Sequence, residues 1–597
     1  MPAVRACSSI GSSATALHVD NQAIARVFAE IADLLEIKGE NAFKIRAYRT
    51  ASDTIAAWAD GVSRLDEKQL LELPGIGKDL AKKIRELADS GTCRFHQDLL
   101  LEFPPTILDL LRLQGVGPKT VALLYSALNI RTLDDLAAAA REGRLRELRG
   151  MGTKKEALIL KALDERQKDA GRHLLSDSIS IAAELTGYLR ERAPDVEFVP
   201  VGSLRRGCET CGDIDILAVG PDVASERAAA LMSAFLESPR VERVLGHGDT
   251  KSSIRLSGGY QADLRLVPAE SRGAAMQYFT GSKAHNIVLR DRAIQRDLKL
   301  NEYGLFRVSD DGRVAGDTEE GIYEALGLQY IEPELREQRG EIEAALDGRL
   351  PRLVALTDLR GDLHMHTTVT DGRDDLVTMA EAAQRAGHEY IAITDHSRAL
   401  AMANGLDEHR ALEHAARIRD LNGRFEGLTL LAGIECDILP DGRLDLADDC
   451  LAQLDLVVAS IHSHFSMDES QMTDRVLHAL ECPWVDVLGH PTGRLLLKRE
   501  GYRLNIEQVV AAAARAGVAM EINCQVDRLD LNDAQARLAR EREVRLVIST
   551  DAHSALALGN LRWGIRMARR AWASPEDVLN TRSLEELRPL LRRNRNR

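Results

Sequence analysis

Eight cysteines in 597 residues are too few and too scattered to build a disulfide framework. Cys208 and Cys211 make the one Cys-x-x-Cys, and without the second pair a structural zinc site needs they read as two reduced thiols beside a loop. Long apolar runs are missing too. None approaches the ~20 residues that span a bilayer, and the opening MPAVRACSSIGSSATALHVD lacks the sustained apolar stretch of a signal peptide, so it reads as the flexible tail of a cytoplasmic protein. Nor is there a surplus of positive charge. Lys and Arg number 78 against 92 Asp and Glu, a net of −14 that at first sight argues against a nucleic-acid partner.

The charge is unevenly spread, and that changes the argument. Residues 1–170 hold 25 basic and 24 acidic side chains, a net of +1, which leaves −15 to the rest. Of 16 histidines, 11 follow residue 360. A chain this long exceeds one core and implies roughly three to five domains. The near-neutral N-terminal part is compatible with DNA, and the acidic, histidine-rich C-terminal part has the composition of a metal-binding domain.

The segment NQAIARVFAEIADLLEIKG (21–39) places apolar side chains at helical spacing and ends on Gly39, and the first hundred residues continue as short amphipathic helices. Three segments repeat one another: LPGIGKDLAKKI (73–84), LQGVGPKTVALL (113–124) and LRGMGTKKEALI (148–159). Each sets an apolar residue before Gly-x-Gly, then a basic residue, then a helix-forming run. Two glycines permit a tight turn with positive φ, after which the next helix presents free N–H groups. Such a turn holds a phosphate through amides, the helix dipole and a nearby lysine, and reads backbone instead of base sequence. Gly75, Gly77 and Lys78, then Gly115, Gly117 and Lys119, are therefore candidate DNA contacts, with Lys154 at the matching place in the third copy.

Beyond residue 172 the pattern turns to strands: VEFVPVGSL, DIDILAVG and YQADLRLVP. Period-two alternation puts Asp213 and Asp215 on one face of their strand and Ile214 and Ile216 on the other. Like charges this close repel, so a neutralising partner is needed, and with Asp263 on a neighbouring strand the donors are the hard oxygens that Mg²⁺ or Mn²⁺ prefers. Gly202 and Ser203 form a turn ahead of Arg205 and Arg206, a combination of hydroxyl, backbone and guanidinium donors suited to a triphosphate. Two ions ~3.5 to 4 Å apart in such a site serve phosphoryl transfer.

GSLRRGCETCGDIDIL (202–217), ADLRLV (262–267) and YFTGSKAHN (278–286) resemble the nucleotidyltransferase palm and nucleotide pocket of the family X DNA polymerases, the group that includes polymerase β. The resemblance implies Asp213, Asp215 and Asp263 as catalytic metal ligands and Ser203, Arg206, Gly202 and Gly212 around the triphosphate. It implies Tyr278 and Phe279 against the sugar, the backbone of Thr280 and Gly281 excluding a 2′-hydroxyl, and Asn286 at the base edge. KIRAYRTAS (44–52) and LPGIGKDLAKKI resemble the small lyase domain of that family, which implies Lys83 as a Schiff-base nucleophile for 5′-deoxyribose phosphate, supported by Tyr48 and Lys44. Read from the residues alone, Lys83 fits a solvated phosphate-binding lysine equally well. The cysteines between Arg206 and Gly212 depart from the family's usual polar or aliphatic residues and suggest sensitivity to oxidation.

The C-terminal part carries DLHMHTTVTDG, ITDHS, GIECDILPDG, SIHSHF, LGHP and STDAHS at the ends of apolar strands that alternate with Ala-rich helices. That alternation indicates a parallel α/β barrel, whose strand ends converge on one mouth. His364, His366, Asp371, His396, Glu435, His462, His490, Asp551 and His553 then form one cluster, with His364 and His366 sharing a strand face. Nine donors exceed the needs of one tetrahedral ion and imply two or three divalent metals, Zn²⁺ or Mn²⁺. His464 reads as a supporting residue on the face of His462, and His388, His409, His414 and His478 as surface residues. The set resembles the PHP (polymerase and histidinol phosphatase) domain, found appended to bacterial family X polymerases with 3′-to-5′ exonuclease activity. Only EINCQVDRLDL (521–531) departs from its usual pattern.

The expected organisation is a tail over 1–19, a helical lyase-like helix-hairpin-helix domain over 20–98 and a second helix-hairpin-helix domain over 99–172. An α+β palm over 173–268, a small α+β subdomain around the nascent base pair over 269–333, a charged helical connector over 334–354 and the α/β barrel over 355–597 follow. The expected function is short-gap DNA synthesis in base excision repair or end joining, with 3′-end trimming by the barrel and a lyase activity at Lys83. Partners are gapped or primer-template DNA and dNTPs, with no membrane, in a monomer associated with the nucleoid. Two other readings remain: a DNA-binding scaffold in which only the hydrolase works, and a small-molecule phosphoesterase.

Overall fold

The computed structural model describes residues 21–591, apart from 58–61, 105, 112, 114, 115, 149, 170 and 221–224; the expected tail and Gly115 lie outside the described residues. The chain divides into two compact units, Met1–Ala170 and Gly171–Arg597. No helix among the described residues is long and apolar enough to cross a membrane.

The first unit is all-helical. Asn21–Lys38 and Ala42–Ala57 pack side by side, and one continuous apolar cluster runs from Ile24 to Leu163 through Phe28, Leu34, Ile84, Val121 and Leu136. The three glycine motifs introduce the helices Lys78–Ser90, Pro118–Leu128 and Thr153–Asp169.

The second unit begins with a five-stranded sheet in the order Glu197–Pro200, Asp213–Val219, Gln261–Val267, Lys251–Leu256, Val241–His247. Asp213–Val219 and Gln261–Val267 run parallel; the other pairs are antiparallel. The sequence pattern reveals three of these strands and misses two: the edge strand Val241–His247 lies almost wholly in solvent and shows no apolar alternation, and Lys251–Leu256 alternates in burial but sets the polar Ser252 at one of its three buried positions. Next come helices Arg272–Thr280 and Lys283–Ile294, an antiparallel sheet of Leu298–Asn301, Gly304–Arg307 and Arg313–Ala315, and helix Glu319–Ala325. The stretch over 334–354 is α-helical only at Glu341–Leu346, between Gly340 at φ +95° and Pro351, with the short 3-10 turn Pro333–Leu335 at its start. Its Ile342, Ala344, Ala345 and Leu353 join the core formed by Leu289, Tyr323 and Leu326.

Seven parallel strands follow in sequence order: Gly361–Asp362, Tyr390–Ile393, Thr429–Asp437, Leu456–Ser460, Val487–Leu488, Ala519–Asn523 and Leu546–Ser549. A bridge from Met365 to Ala552 brings the two ends together in a nearly closed barrel. The strands are buried on both faces, which explains their unbroken apolar character. Asp375, Asp407, Asp468, Asn505 and Asn532 cap five of the intervening helices through their side chains, aligning helix starts with strand ends.

Candidate functional site

In the helical unit, Gly75 has φ +77°, and a Cβ there would meet Thr50 Cγ2 at 2.8 Å, so glycine is required by both backbone and space. Gly77 and Gly117 instead take extended backbone (φ −89° and −88°) as the caps of their helices. In the first copy the positive φ of the expected turn thus falls on the first glycine. The second glycine is the N-cap, and its role is openness, since a Cβ at Gly77 or Gly117 meets nothing within 4 Å among the described residues. Lys78, Lys119 and Lys154 are exposed beside these helix starts. Lys83 is largely buried, its ammonium 2.6 Å from Asp79, 5.2 Å from the ring centre of Phe95 and 6.0 Å from that of Tyr48. Lys44 lies over the same Phe95 ring.

In the five-stranded sheet, Asp215 and Asp263 are direct partners on parallel strands and Asp213 is partnered by Gln261. Asp213 is exposed, Asp215 half-buried and Asp263 buried, while Ile214 and Ile216 are in the core, as the alternation requires. Burial, and then the neighbouring charges of Asp213 and Asp263, push the Asp215 carboxyl up to about 6, against the opposing pull of Arg265 and Lys251. Lys251 Nζ sits 2.6 Å from Asp263. This cation, from a strand the sequence pattern did not disclose, and Arg265 partly neutralise the aspartates.

The residues expected around a triphosphate form a single helical turn, Gly202–Arg205, instead of an open loop. It is fastened to the aspartate strand by the Val201 N–H donating to the Asp215 carbonyl (2.9 Å). Gly202 has φ +67°, and a Cβ there would come 2.9 Å from Asp215 Oδ2, so only glycine lets the turn approach the carboxylates. Arg205 donates to Thr280 Oγ1 (2.6 Å) and forks onto Glu319. Arg206 donates to the Thr280 carbonyl (2.6 Å) and to Glu337 (2.9 Å). Tyr278 and Phe279 meet edge to face at 5.0 Å, Arg265 covers the Phe279 ring, and Asn286 donates to the Tyr278 carbonyl (2.7 Å). Gly281 and Gly212 flank the same region, Gly281 so close to Arg206 that a Cβ would lie 3.3 Å from its guanidinium.

At the barrel mouth the C-terminal candidates converge. Three overlapping groups of donors each fall within 4.8 Å: His366, Asp371, His396 and His553; His364, His366 and Asp551; His396, Glu435 and His462. His490 joins through a 2.9 Å contact of its Nε2 with Glu435. His364 and His366 lie just past the short strand Gly361–Asp362, not on it, yet both reach Asp551 and Glu435. Burial alone would lower the imidazoles, but surrounding carboxylates win. Glu435 and Asp371 raise His396 to about 10, Glu435 and Asp437 raise His462 to about 9, and Glu521, Glu435 and Asp551 hold His364 well above its usual range. His366 goes the other way, to about 4, through burial and the charges of His396 and His553. Several of these buried atoms, His364 Nε2, both ring nitrogens of His366, His396 Nδ1 and Glu435 Oε2, have no hydrogen-bond partner among the described residues. Buried imidazole nitrogens without partners are costly unless a cation completes them, so the donor set fits divalent ions.

Some residues escaped the sequence reading. Glu521 binds His364 Nδ1 (2.7 Å) and accepts the His490 N–H (2.6 Å), Asp437 contacts His462 (3.2 Å), and Asp395 accepts from Thr367, Thr370 and His414. These carboxylates orient the ligand imidazoles and their loops. His414, expected at the surface, is buried; His388 is buried as well, and His409 is exposed. His464, expected beside the cluster, is exposed, its ring 3.1 Å from Ser463 Oγ, and its φ of +58° takes the backbone out of the strand conformation.

Comparison with known proteins gives a match for each region. Residues 19–93 match a helix-hairpin-helix domain, 107–165 a SAM-like helix-hairpin-helix tandem, 177–250 the DNA polymerase beta palm, 275–337 the DNA polymerase beta thumb and 362–525 the PHP domain. The chain is 38% identical over 573 residues to the DNA polymerase/3'-5' exonuclease PolX of Bacillus subtilis, covering 96% of this chain and 99% of that protein. It is 28% identical over 336 residues to DNA polymerase lambda of Rattus norvegicus, 51% of this chain and 54% of that protein. Its C-terminal part is 30% identical over 247 residues to a probable phosphatase of Caldanaerobacter subterraneus, 40% of this chain and 92% of that protein.

Proposed function

The chain belongs to the family X DNA polymerases that carry a C-terminal PHP domain, and from that premise we propose that it fills short gaps in DNA with its palm and trims 3′ ends with its barrel. The observation that carries this reading is the pairing, in one chain, of three aspartates on adjoining strands with three overlapping histidine and carboxylate groups at a barrel mouth. The family domains imply divalent metals, DNA and dNTPs. We assign Mg²⁺ or Mn²⁺ to Asp213, Asp215 and Asp263, and two or three Zn²⁺ or Mn²⁺ ions to His364, His366, Asp371, His396, Glu435, His462, His490, Asp551 and His553.

Divalent ions bound at these sites supply Lewis-acid charge that stabilises a transferring phosphoryl group in the palm and activates water for phosphodiester hydrolysis in the barrel. The protein's own groups do the rest. Ser203 and Arg206 grip the triphosphate, Tyr278 and Phe279 wall the sugar, and the backbone at Thr280 and Gly281 leaves no room for a 2′-hydroxyl. Asn286 reads the base edge. In the barrel, Glu521 and Asp437 fix the imidazoles, while Asp371 and His553, about a third exposed, form the rim where a DNA end enters. Gly75, Gly77, Lys78, Gly117 and Lys119 hold DNA phosphates by amide and ammonium contacts. The protein works as a monomer on gapped or primer-template DNA in the cytoplasm.

Lys83 is the nucleophile for a 5′-deoxyribose phosphate. Two aromatic rings, Phe95 and Tyr48, flank its ammonium, and the reaction requires the amine to leave Asp79 and lose its proton. Borohydride trapping on incised abasic DNA tests it: a covalent adduct that persists in Lys83→Ala removes the assignment. The main reading is tested on a 5′-labelled primer in a one-nucleotide gap. Asp215→Asn abolishes lengthening and spares shortening, and His366→Ala does the reverse; loss of both activities in either variant contradicts two independent sites.

A further inference from the structure

Arg206 does not stand alone. Its guanidinium donates to Glu337 Oε1 at 2.9 Å, and the same oxygen accepts from Arg570 Nη1 at 2.9 Å. Arg570 ends the helix Leu561–Arg570 of the barrel domain, more than two hundred residues beyond Glu337. Its Nη1 also donates to the main-chain carbonyl of Arg206 (3.0 Å), and its Nη2 to Asp533 (2.8 Å), which in turn accepts from Arg339 (2.9 Å). The result is an alternating row, Arg206, Glu337, Arg570, Asp533, Arg339, with three cations to two anions and its central members nearly sealed from solvent.

We propose that Arg570, a residue of the PHP domain, is a positioning residue of the polymerase nucleotide pocket, acting on Arg206 through Glu337 and through the Arg206 carbonyl. The inference rests on the reading of Arg206 as a triphosphate contact. Two physical effects support it. A glutamate bonded to Arg206 alone would cancel the charge the triphosphate needs. Here Glu337 is shared with Arg570, and the row of three guanidinium groups and two carboxylates keeps a net charge of +1 while holding Arg206. The second effect is geometric. Arg570 donates to the carbonyl at the end of the turn Gly202–Arg205, which carries Ser203, so a barrel-domain side chain fixes the backbone that presents both triphosphate donors. Arg206 keeps donor capacity: among the described residues its Nη2 has only the long contact to Cys208 Sγ, at 3.8 Å.

This arrangement makes the PHP domain part of the synthetic site, independent of its own hydrolysis. The test is steady-state incorporation by the full chain on a saturating one-nucleotide gap, with dNTP varied, for wild type, Arg570→Met, Arg570→Lys and Arg206→Met, with 3′-shortening and thermal midpoint measured alongside. Arg570→Met is expected to raise KM for dNTP about tenfold with kcat within twofold of wild type, with shortening and midpoint close to wild type, and Arg570→Lys to recover part of the loss. Combining Arg570→Met with Arg206→Met should add less than the product of the two single effects, because both act on one contact. The proposal is overturned if Arg206→Met raises KM while Arg570→Met leaves it unchanged, or if kcat, shortening and midpoint all fall together in Arg570→Met and Arg570→Lys alike. An unchanged KM in Arg206→Met would sink the reading of Arg206, and this proposal with it.

Discussion

The ammonium of Lys251 lies 2.6 Å from a carboxylate oxygen of Asp263, on the strand next to it in the palm sheet. Lys251 and Arg265 are the two cations that pull against the raised carboxyl of Asp215. Replacing the lysine with an uncharged chain of similar length leaves Arg265 to oppose the mutual repulsion of the three carboxylates without it. Lys251→Met should therefore melt below wild type in EDTA, and saturating Mn²⁺ should close most of the gap. Differential scanning fluorimetry with and without the ion measures this; equal metal-induced shifts in both proteins would show that the lysine does not share the ion's place.

Asp215 gives a pH signature with an unusual sign. Its carboxyl is raised above the unfolded value of 3.8 to about 6, so the folded chain binds this proton more tightly than the unfolded chain does. The ionised group thus costs stability at neutral pH, on the order of 3 kcal/mol before solvent screening, and that cost fades as pH falls through 6. In EDTA, Asp215→Asn should melt above wild type at pH 7.5, with the difference shrinking by pH 5. Incorporation should vanish in the variant, and in wild type the Mn²⁺ requirement should climb below pH 6 as protons compete for the carboxylate.

At the barrel mouth, His396 at about 10, His462 at about 9 and His364 well above its usual range all carry a proton at neutral pH in the metal-free protein. Ligation needs neutral imidazole, so metal binding must expel protons. Calorimetric titration of the metal-free protein at pH 7.5 in two buffers of different ionisation enthalpy should show release of about two to three protons as the cluster fills. A buffer-independent enthalpy would contradict the assignment of these histidines as ligands.

Glu521 touches no expected substrate yet holds His364 Nδ1 and the His490 N–H. Glu521→Gln keeps the shape and removes the charge. Metal affinity or 3′-shortening should fall roughly 10- to 100-fold, the usual size of an outer-shell effect at a metal site. Nucleotide addition measured in the same preparation should stay within twofold of wild type.

How much of this was legible in the sequence depends on whether a residue's role is local. Asp213 and Asp215 announce themselves by alternation with Ile214 and Ile216, and the barrel ligands by their recurrence after apolar strands. Glu521 does not, because one acid inside the apolar run AMEIN carries no periodic signal and acquires meaning only when His364 arrives from 157 residues away. Lys251 was hidden on a strand beside a solvent-exposed edge. Arg570 and Glu337 lie 233 residues apart, beyond any spacing rule. His414 could have been found: it falls on the stripe of Ala411, Ala415 and Ile418 in an otherwise charged helix, the spacing of a buried face. The glycine motifs showed where helices begin but not that Gly77 and Gly117 are caps with extended backbone, because a Gly-x-Gly pattern does not say which glycine takes the positive φ.

The most direct test of the two-site account is a manganese anomalous difference map of crystals grown with a gapped DNA and a non-hydrolysable dNTP. The account predicts at least one peak among the carboxylates of Asp213, Asp215 and Asp263, with Lys251 withdrawn from Asp263, and two or three peaks within the ring of His364, His366, His396, Glu435, His462 and His553. A map with the DNA and nucleotide in place, Lys251 still on Asp263 and no peak among the aspartates would contradict it.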